Sequence, residues 1–313
     1  MTKSLRETWG LTLVEIARED DRLVVIDPDV GNSSRADIFA DSMPNRFFSV
    51  GIAEQNAVAM AAGMSSLNYV PWLSTFSPFL SHRAVDQIRM LVAQCRMNVK
   101  LVGTYTGLLT GLTGRTHQDV QDIAIFRAMP DMMVLSPADP IEFAAAMRWA
   151  QDYIGPVYFR AARDPEPVVF DDTYSFDPKA VIALKKGGDL TIVSSGVQTA
   201  RSLETVKILA EQGINAALVH VPTIKPLNEE LLIAELIKSP IIFTVEDHSV
   251  MGGLGGAVAE VLAPLKNTPP LHRLGLGDIW TESAPNDFLL NKYGLSGKAV
   301  ADQISHILAL QTA

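Results

Sequence analysis

The chain has 313 residues, of which 48% are apolar and 19% charged, and its formal net charge is −9. This length is typical of about two domains, and the apolar fraction is ample for two buried cores. The acidic balance, with no basic stretch to offset it, excludes a general nucleic-acid-binding protein. The single cysteine, Cys95, excludes an internal disulfide and is typical of a reducing compartment.

The chain also carries no pattern of a membrane or secreted protein. No apolar run approaches the roughly 20 residues that span a bilayer. The first residues lack the apolar core of a secretory signal. We therefore expect a cytoplasmic protein without a membrane-spanning segment.

The N-terminal pattern predicts a helix that starts at Thr2 or Ser4 and ends at residue 18, followed by a buried strand over 23–26. A polar loop rich in Asp, Asn, Ser, Pro and Gly, residues 27–34, comes directly after this strand. Its composition is typical of a plain turn. The carboxyl ends of strands in open α/β sheets also carry ligands, so the loop is a candidate part of a site.

The stretch 47–87 predicts a strand, a turn, a helix, a strand, a loop and a further helix. This order places Glu54 in the first turn of a helix, at the carboxyl end of a strand. A carboxylate there interacts well with the helix macrodipole and with unpaired amides, so capping alone explains it. Phe76 and Phe79, in a turn that contains Pro78, either fill core or wall a flat pocket. A carboxylate beside such a wall suits a ring with a protonatable nitrogen.

The rest of the first half continues the alternation of helices and strands. Helices are predicted over 79–93, 119–127 and 141–151, and strands over 99–102, 132–136 and 156–160. A loop rich in Gly and Thr precedes His117, and Arg163 follows the last strand. Taken alone, a His near a helix start and an Arg after a strand are typical of caps and surface charges.

Residues 164–188 are polar and Pro-rich with little periodicity, which predicts a linker. We place the domains at 1–165 and 189–313, with the linker at 166–188. Alternating strands and helices in the second domain predict a parallel, doubly wound sheet. Its strands are predicted over 190–194, 216–221, 241–246 and 271–274, and its helices over 197–212, 228–238, 256–265 and 297–310.

Four short sequence motifs, or words, resemble in order and spacing those of the pyrimidine-binding domain of the transketolase family of thiamine diphosphate enzymes. They are Gly51-Ile52-Ala53-Glu54-Gln55-Asn56, Ser74-Thr75-Phe76-Ser77-Pro78-Phe79, Asp86-Gln87-Ile88-Arg89 and Thr116-His117-Gln118. Four words in register are specific, whereas any one alone would be weak. The second half resembles the family's C-terminal domain. The resemblance therefore implies an α/β fold of two doubly wound domains, a pyrimidine-binding domain and a transketolase C-terminal-like domain.

The resemblance also implies how the cofactor is held. In the family, the carboxylate at the helix start hydrogen-bonds a ring nitrogen of the cofactor's aminopyrimidine and activates it, and the cofactor acts as an electron sink. Glu54 is the matching catalytic carboxylate. Phe76 and Phe79 match the residues that pack against the ring. Asp29 and His82 match further cofactor contacts.

Other matching positions imply a substrate site. Arg6, Ser33 and Arg163 match residues that hold a substrate phosphate, and the planar fork of an arginine suits that role. The match at Arg6 rests on spacing more than on words. His117 matches an active-site His that contacts the donor sugar's oxygens, and an ordinary pKa near neutrality suits proton exchange.

Three positions of the site depart from the sugar transketolases. Thr113 is at the position where the sugar transketolases have an acidic residue that binds a ketose hydroxyl. Tyr105 is at a position where they frequently have a His. Arg115 is unusual at its position and either favours an extra anion or is an exposed loop charge. We predict that all three bind substrate, and they do not support the common pentose and heptulose phosphates as donors.

The sequence lacks the family's diphosphate-binding half. It contains no Gly-Asp-Gly word and no paired asparagines, which in the family hold the cofactor diphosphate and a divalent metal. The resemblance therefore implies the C-terminal subunit of a split transketolase, with no metal ligands of its own. Thiamine diphosphate, with Mg²⁺ or a similar ion held mainly by an N-terminal partner subunit, would sit at the interface of an α2β2 assembly.

The implied activity is transfer of a two-carbon ketol unit from a ketose phosphate to an aldose or aldose phosphate, with no activity without the partner. The alternative enzymes are 1-deoxyxylulose-5-phosphate synthase and a 2-oxo acid dehydrogenase β subunit. The quoted words favour transketolases and the synthase, which is normally one long chain. An inactive structural subunit is the non-enzyme alternative. The intact Glu54, Phe76 and His117 speak against it, whereas Thr113 and Tyr105 leave it open.

Overall fold

The computed structural model describes residues 4–311, so the predicted helix start at Thr2 lies outside the described residues. Within this range the strands form two sheets. In chain order they are β1 (Leu23–Asp27), β2 (Phe47–Ser49), β3 (Val70–Phe76), β4 (Lys100–Thr104), β5 (Met133–Leu135), β6 (Val157–Ala161), β7 (Ile182–Lys185), β8 (Leu190–Ser194), β9 (Ala216–His220), β10 (Thr223–Lys225), β11 (Ile242–Ser249) and β12 (Leu271–Leu276).

Both sheets are mainly parallel. Among the described strands, the first sheet has the order β10-β5-β6-β4-β3-β1-β2 and the second has the order β12-β11-β8-β9-β7. The exceptions are two edge strands: β10 pairs antiparallel with β5, and β7 pairs antiparallel with β9. The prediction of two doubly wound α/β domains is confirmed, and each sheet is mixed rather than purely parallel.

Helices flank the strands in both units. They are α1 (Leu5–Glu19), α2 (Gly31–Ser34), α3 (Asp37–Ser42), α4 (Glu54–Ser66), α5 (Val85–Gln87), α6 (Asp122–Arg127), α7 (Pro140–Asp152), α8 (Gln198–Glu211), α9 (Glu229–Leu236), α10 (Leu254–Leu262), α11 (Asn286–Lys292) and α12 (Gly297–Gln311). Short 3-10 turns occur at Pro44–Arg46 and Gly111–Thr113, and π-helical turns at Phe79–Arg83 and Ile88–Ala93. In residues 4–311, no helix is both long enough and apolar enough to cross a membrane.

The first sheet is covered on both faces. Trp72 of β3 packs against Trp9 of α1, and their ring centroids lie 5.7 Å apart. The next residue, Leu73, belongs to a different apolar core that contains Val58 of α4. Because successive strand residues face opposite cores, the strands appear in the sequence as nearly continuous apolar runs. The core on the α4 side continues into the second unit, where it includes Val219.

Several elements differ from the sequence-based expectations. Strand β7 lies within the stretch read as a structureless linker, and β10 and α11 were not predicted. The helix expected over 119–127 begins only at Asp122. The helix expected over 79–93 is divided by Ala84, whose φ of −109° and ψ of 10° are not helical. The turn before this break is π-helical, a geometry that is frequent at functional sites.

A buried carboxylate joins the two units and the segment between them. The Glu142 carboxylate accepts hydrogen bonds from the Ala138 backbone N–H at 2.7 Å and from the Tyr174 hydroxyl at 2.6 Å. The same side chain lies 2.8 Å from Nε2 of His220 in the second unit, and both side chains are fully buried. Because both side chains are fully buried, losing either one would leave a buried polar group without its partner, so this contact links the two units.

Candidate active site

The structure places Glu54 where the sequence predicts it, in the first turn of α4 just after β2. The turn between them requires Gly51, whose φ of +71° favours glycine. The Glu54 side chain is only 1% exposed. Its Oε1 accepts a hydrogen bond of 2.7 Å from Nη1 of Arg83. The carboxylate therefore meets a charged partner rather than only the helix amides.

Four rings meet beside this carboxylate. The centroids of Phe76 and Phe79 are 5.4 Å apart with their planes at 68°. The His117 ring lies 5.1 Å from Phe76 and 5.5 Å from Phe79, so it closes a triangle with them. Tyr105 packs on Phe76 with centroids 4.4 Å apart. Four residues that the sequence predicted for the site, Phe76, Phe79, Tyr105 and His117, thus form one continuous group of rings.

His117 is held as a neutral imidazole. Burial lowers its pKa below the ordinary value, and the positive charge of Arg83 lowers it further. Its Nδ1 shares a hydrogen bond of 2.9 Å with the Thr116 hydroxyl. This contact orients the ring. A neutral imidazole can accept a proton from a substrate hydroxyl and return it.

Arg6, Ser33, Tyr105 and Arg163 form a second group. Nη1 of Arg6 donates to the Ser33 backbone carbonyl at 2.8 Å and to the Tyr105 hydroxyl at 3.1 Å. The guanidinium carbons of Arg6 and Arg163 lie 5.6 and 5.5 Å from the centroid of the Tyr105 ring. Nε of each arginine is buried without a hydrogen-bond partner among the described residues. Two cations with unused donors around one hydroxyl suit an anionic group.

The loop after β1 is shaped by Asp27 rather than by Asp29. Oδ2 of Asp27 accepts hydrogen bonds of 3.1 Å from the backbone N–H groups of both Val30 and Gly31. Asp29 is exposed, and its φ of +63° is left-handed. Oδ1 of Asp27 has no partner among the described residues, and burial raises the pKa of Asp27 from 3.8 to about 6. The predicted cofactor contact Asp29 thus sits on a turn that the Asp27 carboxylate holds.

The raised pKa of Asp27 predicts a pH dependence of stability that Asp27→Asn removes. Both the folded and the unfolded chain carry this proton below pH 3.8, so its contribution is fully present there. As the pH rises toward about 6, the unfolded chain loses the proton first and the free energy of unfolding falls. The fall is about 3 kcal/mol for a shift of this size. Urea unfolding at pH 4 and pH 7 should show a smaller fall in Asp27→Asn than in the wild type; equal falls would contradict the assignment.

A cleft of about 510 Å³ opens beside these groups, between the two units. Phe79, His82, Arg83 and Arg115 line it from the first unit, and Trp280 lines it from the second. The Nε2 atom of the half-exposed His82 lies 4.0 Å from Oδ1 of the buried Asp119. Arg115 is exposed at the cleft. His82 and Arg115 therefore line the same cavity.

Thr113 differs from the other predicted residues. Its hydroxyl lies 2.5 Å from the Thr110 hydroxyl and donates to the Thr110 carbonyl at 2.7 Å. This hydroxyl is therefore used inside its own 3-10 turn. Thr113 is also absent from the residues that line the cleft. Because its proton is used in this turn, the Thr113 hydroxyl is available to a substrate only as a hydrogen-bond acceptor.

Sequence reasoning missed Arg83 and Trp280. Arg83 lies three residues before the word that begins at Asp86, so its position in the sequence could have indicated a residue of the site. Trp280 is 70% exposed beside the cleft. It is brought there by Thr281, whose hydroxyl hydrogen-bonds Gln118, and no local pattern indicates a contact across so many residues.

The described residues fit the pyrimidine half of the cofactor. The buried Glu54 carboxylate can accept a hydrogen bond from an aminopyrimidine, and the rings of Phe76 and Phe79 can pack against it. Within residues 4–311, no group of three or more His, Cys, Asp or Glu side chains is arranged to hold a metal.

Comparison with known proteins agrees with this arrangement. The transketolase pyrimidine-binding domain family matches residues 2–165, and the transketolase C-terminal domain family matches residues 179–300. The chain is 40% identical, over 96% of its length and 95% of the relative's, to a putative transketolase C-terminal section of Methanocaldococcus jannaschii. It is 37% identical to the 6-deoxy-6-sulfo-D-fructose transketolase subunit SqwH of Clostridium sp. (strain MSTE9), over 95% of this chain and 92% of that protein.

A solved structure described as a split-gene transketolase, inactive beta4 tetramer, superposes with a TM-score of 0.89. It is 37% identical in sequence and covers 99% of both chains. Both family domains, the relatives and the superposition agree over nearly the whole chain. The chain therefore belongs to the transketolase family and corresponds to the C-terminal subunit of a split transketolase.

Proposed function

We propose that this chain is a thiamine diphosphate-dependent subunit that transfers a two-carbon ketol unit from a ketose phosphate to an aldose or aldose phosphate. One observation carries the proposal. The guanidinium of Arg83 touches both Oε1 of Glu54, at 2.7 Å, and the face of Phe79, with its carbon 3.9 Å from the ring centroid. A buried carboxylate and an aromatic face therefore lie one planar group apart. A flat heteroaromatic ring with a nitrogen toward the carboxylate fits that space.

Each side chain then has a defined task. When bound, the cofactor would supply the electron sink for the carbon–carbon bond. Glu54 holds a proton at the ring nitrogen, and Phe76 and Phe79 pack the ring and exclude water. His117, neutral at physiological pH, exchanges a proton with a hydroxyl of the sugar. Asp29 and His82 are proposed as additional cofactor contacts at the rim.

The anionic end of the substrate is proposed to lie between Arg6 and Arg163. Tyr105 separates the two cations and offers its hydroxyl, and Ser33 fixes Arg6 through its carbonyl. A relative with 37% identity acts, by its name, on a sugar with a sulfonate group. Because a sulfonate and a phosphate present similar oxygens, we propose a terminal phosphate or sulfonate as the recognised group. Arg115 adds a positive charge at the cleft, and Thr113 is proposed as a sugar contact that accepts a hydrogen bond.

We propose that an N-terminal partner subunit supplies the diphosphate and Mg²⁺ site, in an α2β2 assembly located in the cytoplasm. In this chain, the proposed domains are 1–165 and 189–313, joined by 166–188. The sequence supports the partner because it lacks the Gly-Asp-Gly and Asn-Asn words. The relative from Methanocaldococcus jannaschii also supports the partner, because it is named a C-terminal section and this chain matches 95% of that relative's length.

The test is co-purification with a candidate N-terminal subunit encoded by a neighbouring reading frame. Transfer should be assayed from a panel of phosphorylated, sulfonated and unmodified ketoses, with and without thiamine diphosphate and Mg²⁺. We expect transfer only when both chains and the cofactor are present, and a lower Michaelis constant for donors with an anionic group than for unmodified ketoses. The chain alone and the partner alone are the controls.

Other outcomes would contradict the proposal. Cofactor binding by the complex without transfer from any sugar would shift the reaction to a 2-oxo acid substrate. Transfer from a pyruvate-derived donor to glyceraldehyde 3-phosphate would identify a 1-deoxyxylulose-5-phosphate synthase-like reaction. Absence of cofactor binding would leave an inactive structural subunit.

A further inference from the structure

The side chain of Arg83 closes the space next to Glu54. Its Nη1 donates to Oε1 of Glu54 at 2.7 Å, and its guanidinium carbon lies 3.9 Å from the centroid of the Phe79 ring. The side-chain amide of Gln55, the residue after Glu54, donates to the Arg83 backbone carbonyl at 3.1 Å. Arg83 thus contacts the start of α4 through both its backbone and its side chain.

A guanidinium in this position has the shape and polarity of a small nitrogen heterocycle. It is flat, it lies against an aromatic face, and it points an N–H at the buried carboxylate. These are the same contacts that the proposed function requires of an aminopyrimidine ring. The two groups cannot both lie against Phe79 beside Oε1 of Glu54, so one must exclude the other there.

The surroundings allow Arg83 to leave and explain why it is present. Glu54 is 1% exposed, whereas the side chain of Arg83 is 44% exposed and lines the cleft. A buried carboxylate without a partner is costly, so Glu54 is stabilised by a cation such as that of Arg83. Arg83 ends a π-helical turn, and Ala84 directly after it is non-helical. The backbone at this point is not tied into a regular helix.

We propose that Arg83 occupies the place of the cofactor's aminopyrimidine ring in the free chain and yields it when the ring binds. This inference rests on the proposed function, because it requires that Glu54 and Phe79 receive the ring. It makes Arg83 a positioning residue: it keeps the Glu54 carboxylate in place until the ring replaces it. The free subunit should accordingly bind the ring poorly.

The first test uses the free full-length chain and 4-amino-5-hydroxymethyl-2-methylpyrimidine as the probe, with binding followed by calorimetry. Arg83→Ala should bind the probe about tenfold more tightly than the wild type, because the ring no longer displaces a charge-assisted hydrogen bond. The matched control is Arg89→Ala. Arg89 is an arginine of the same segment that pairs with Asp86 on the surface, at 2.8 Å, and its loss should leave the affinity unchanged.

The outcomes separate this inference from the function on which it rests. Equal affinities of wild type and Arg83→Ala, with binding lost in Glu54→Gln, would overturn the proposed displacement and leave the pyrimidine site intact. No binding of the probe by any variant would overturn the pyrimidine site and, with it, the displacement.

A second measurement needs no ligand. Arg83→Ala should lower the melting temperature of the free chain by about 3 °C, because Glu54 loses its cation. In a Glu54→Gln background, the same change should have little effect, because no buried charge remains to be compensated. Equal shifts in the two backgrounds would show that Arg83 does not serve the Glu54 carboxylate and would overturn the inference.

Discussion

Replacing Glu54 with Gln is expected to reduce cofactor-dependent ketol transfer by the two-chain complex about a thousandfold. Gln keeps the size of the side chain and can still accept from Nη1 of Arg83, so the fold should remain intact. It cannot hold the proton that a carboxylate shares with a ring nitrogen. The measurement is kcat of the complex, together with the melting temperature of the variant chain.

A matched control separates this role from helix capping. Glu229 occupies the equivalent first position of α9 and is exposed. If a carboxylate at a helix start mattered only through the macrodipole, Glu229→Gln and Glu54→Gln would both change stability by a few tenths of a kcal/mol and leave kcat alone. We expect that behaviour only for Glu229→Gln. Near-normal turnover by Glu54→Gln would remove the proposed mechanism.

The buried elements of the fold are those that the sequence predicts well. Strands such as β3 and β8 are buried along nearly their whole length, so each appears as a short apolar run. Strands β7 and β10 were missed for the opposite reason. Each is only three or four residues long and pairs antiparallel at a sheet edge. Their pairing partners, not their own composition, make them strands.

The site shows the same division between local and distant information. The position of Glu54 in a first turn follows from local pattern, and the spacing of Phe76 and Phe79 follows from a short word. The pairing of Glu54 with Arg83 was not predicted, because a π-helical turn shifts which side chains face α4. Exposed Trp280 belongs to the other unit, and only tertiary contacts bring it to the cleft.

Replacing Arg163 with Ala should raise the Michaelis constant for phosphorylated or sulfonated donors by about 10- to 100-fold, with kcat nearly unchanged at saturation. The reason is the loss of one charge-assisted contact, worth about 1.5–3 kcal/mol. Nε of Arg163 is buried without a partner among the described residues. A hydrogen bond to Tyr105, together with the Asp164 charge, raises the pKa of Arg163, so its positive charge is constant. An anion would therefore gain a contact that the fold leaves open.

Two comparisons make the Arg163 result specific. For an unmodified ketose such as L-erythrulose, the variant should have the same Michaelis constant as the wild type, because that donor has no anionic group for Arg163 to bind. Arg96→Ala is the matched control: Arg96 is 73% exposed and pairs with Asp131 at 2.9 Å, away from the cleft residues. An equal rise for charged and uncharged donors would indicate a general distortion. No change for either donor would mean that the anion is held elsewhere or that the natural substrate has no anionic group.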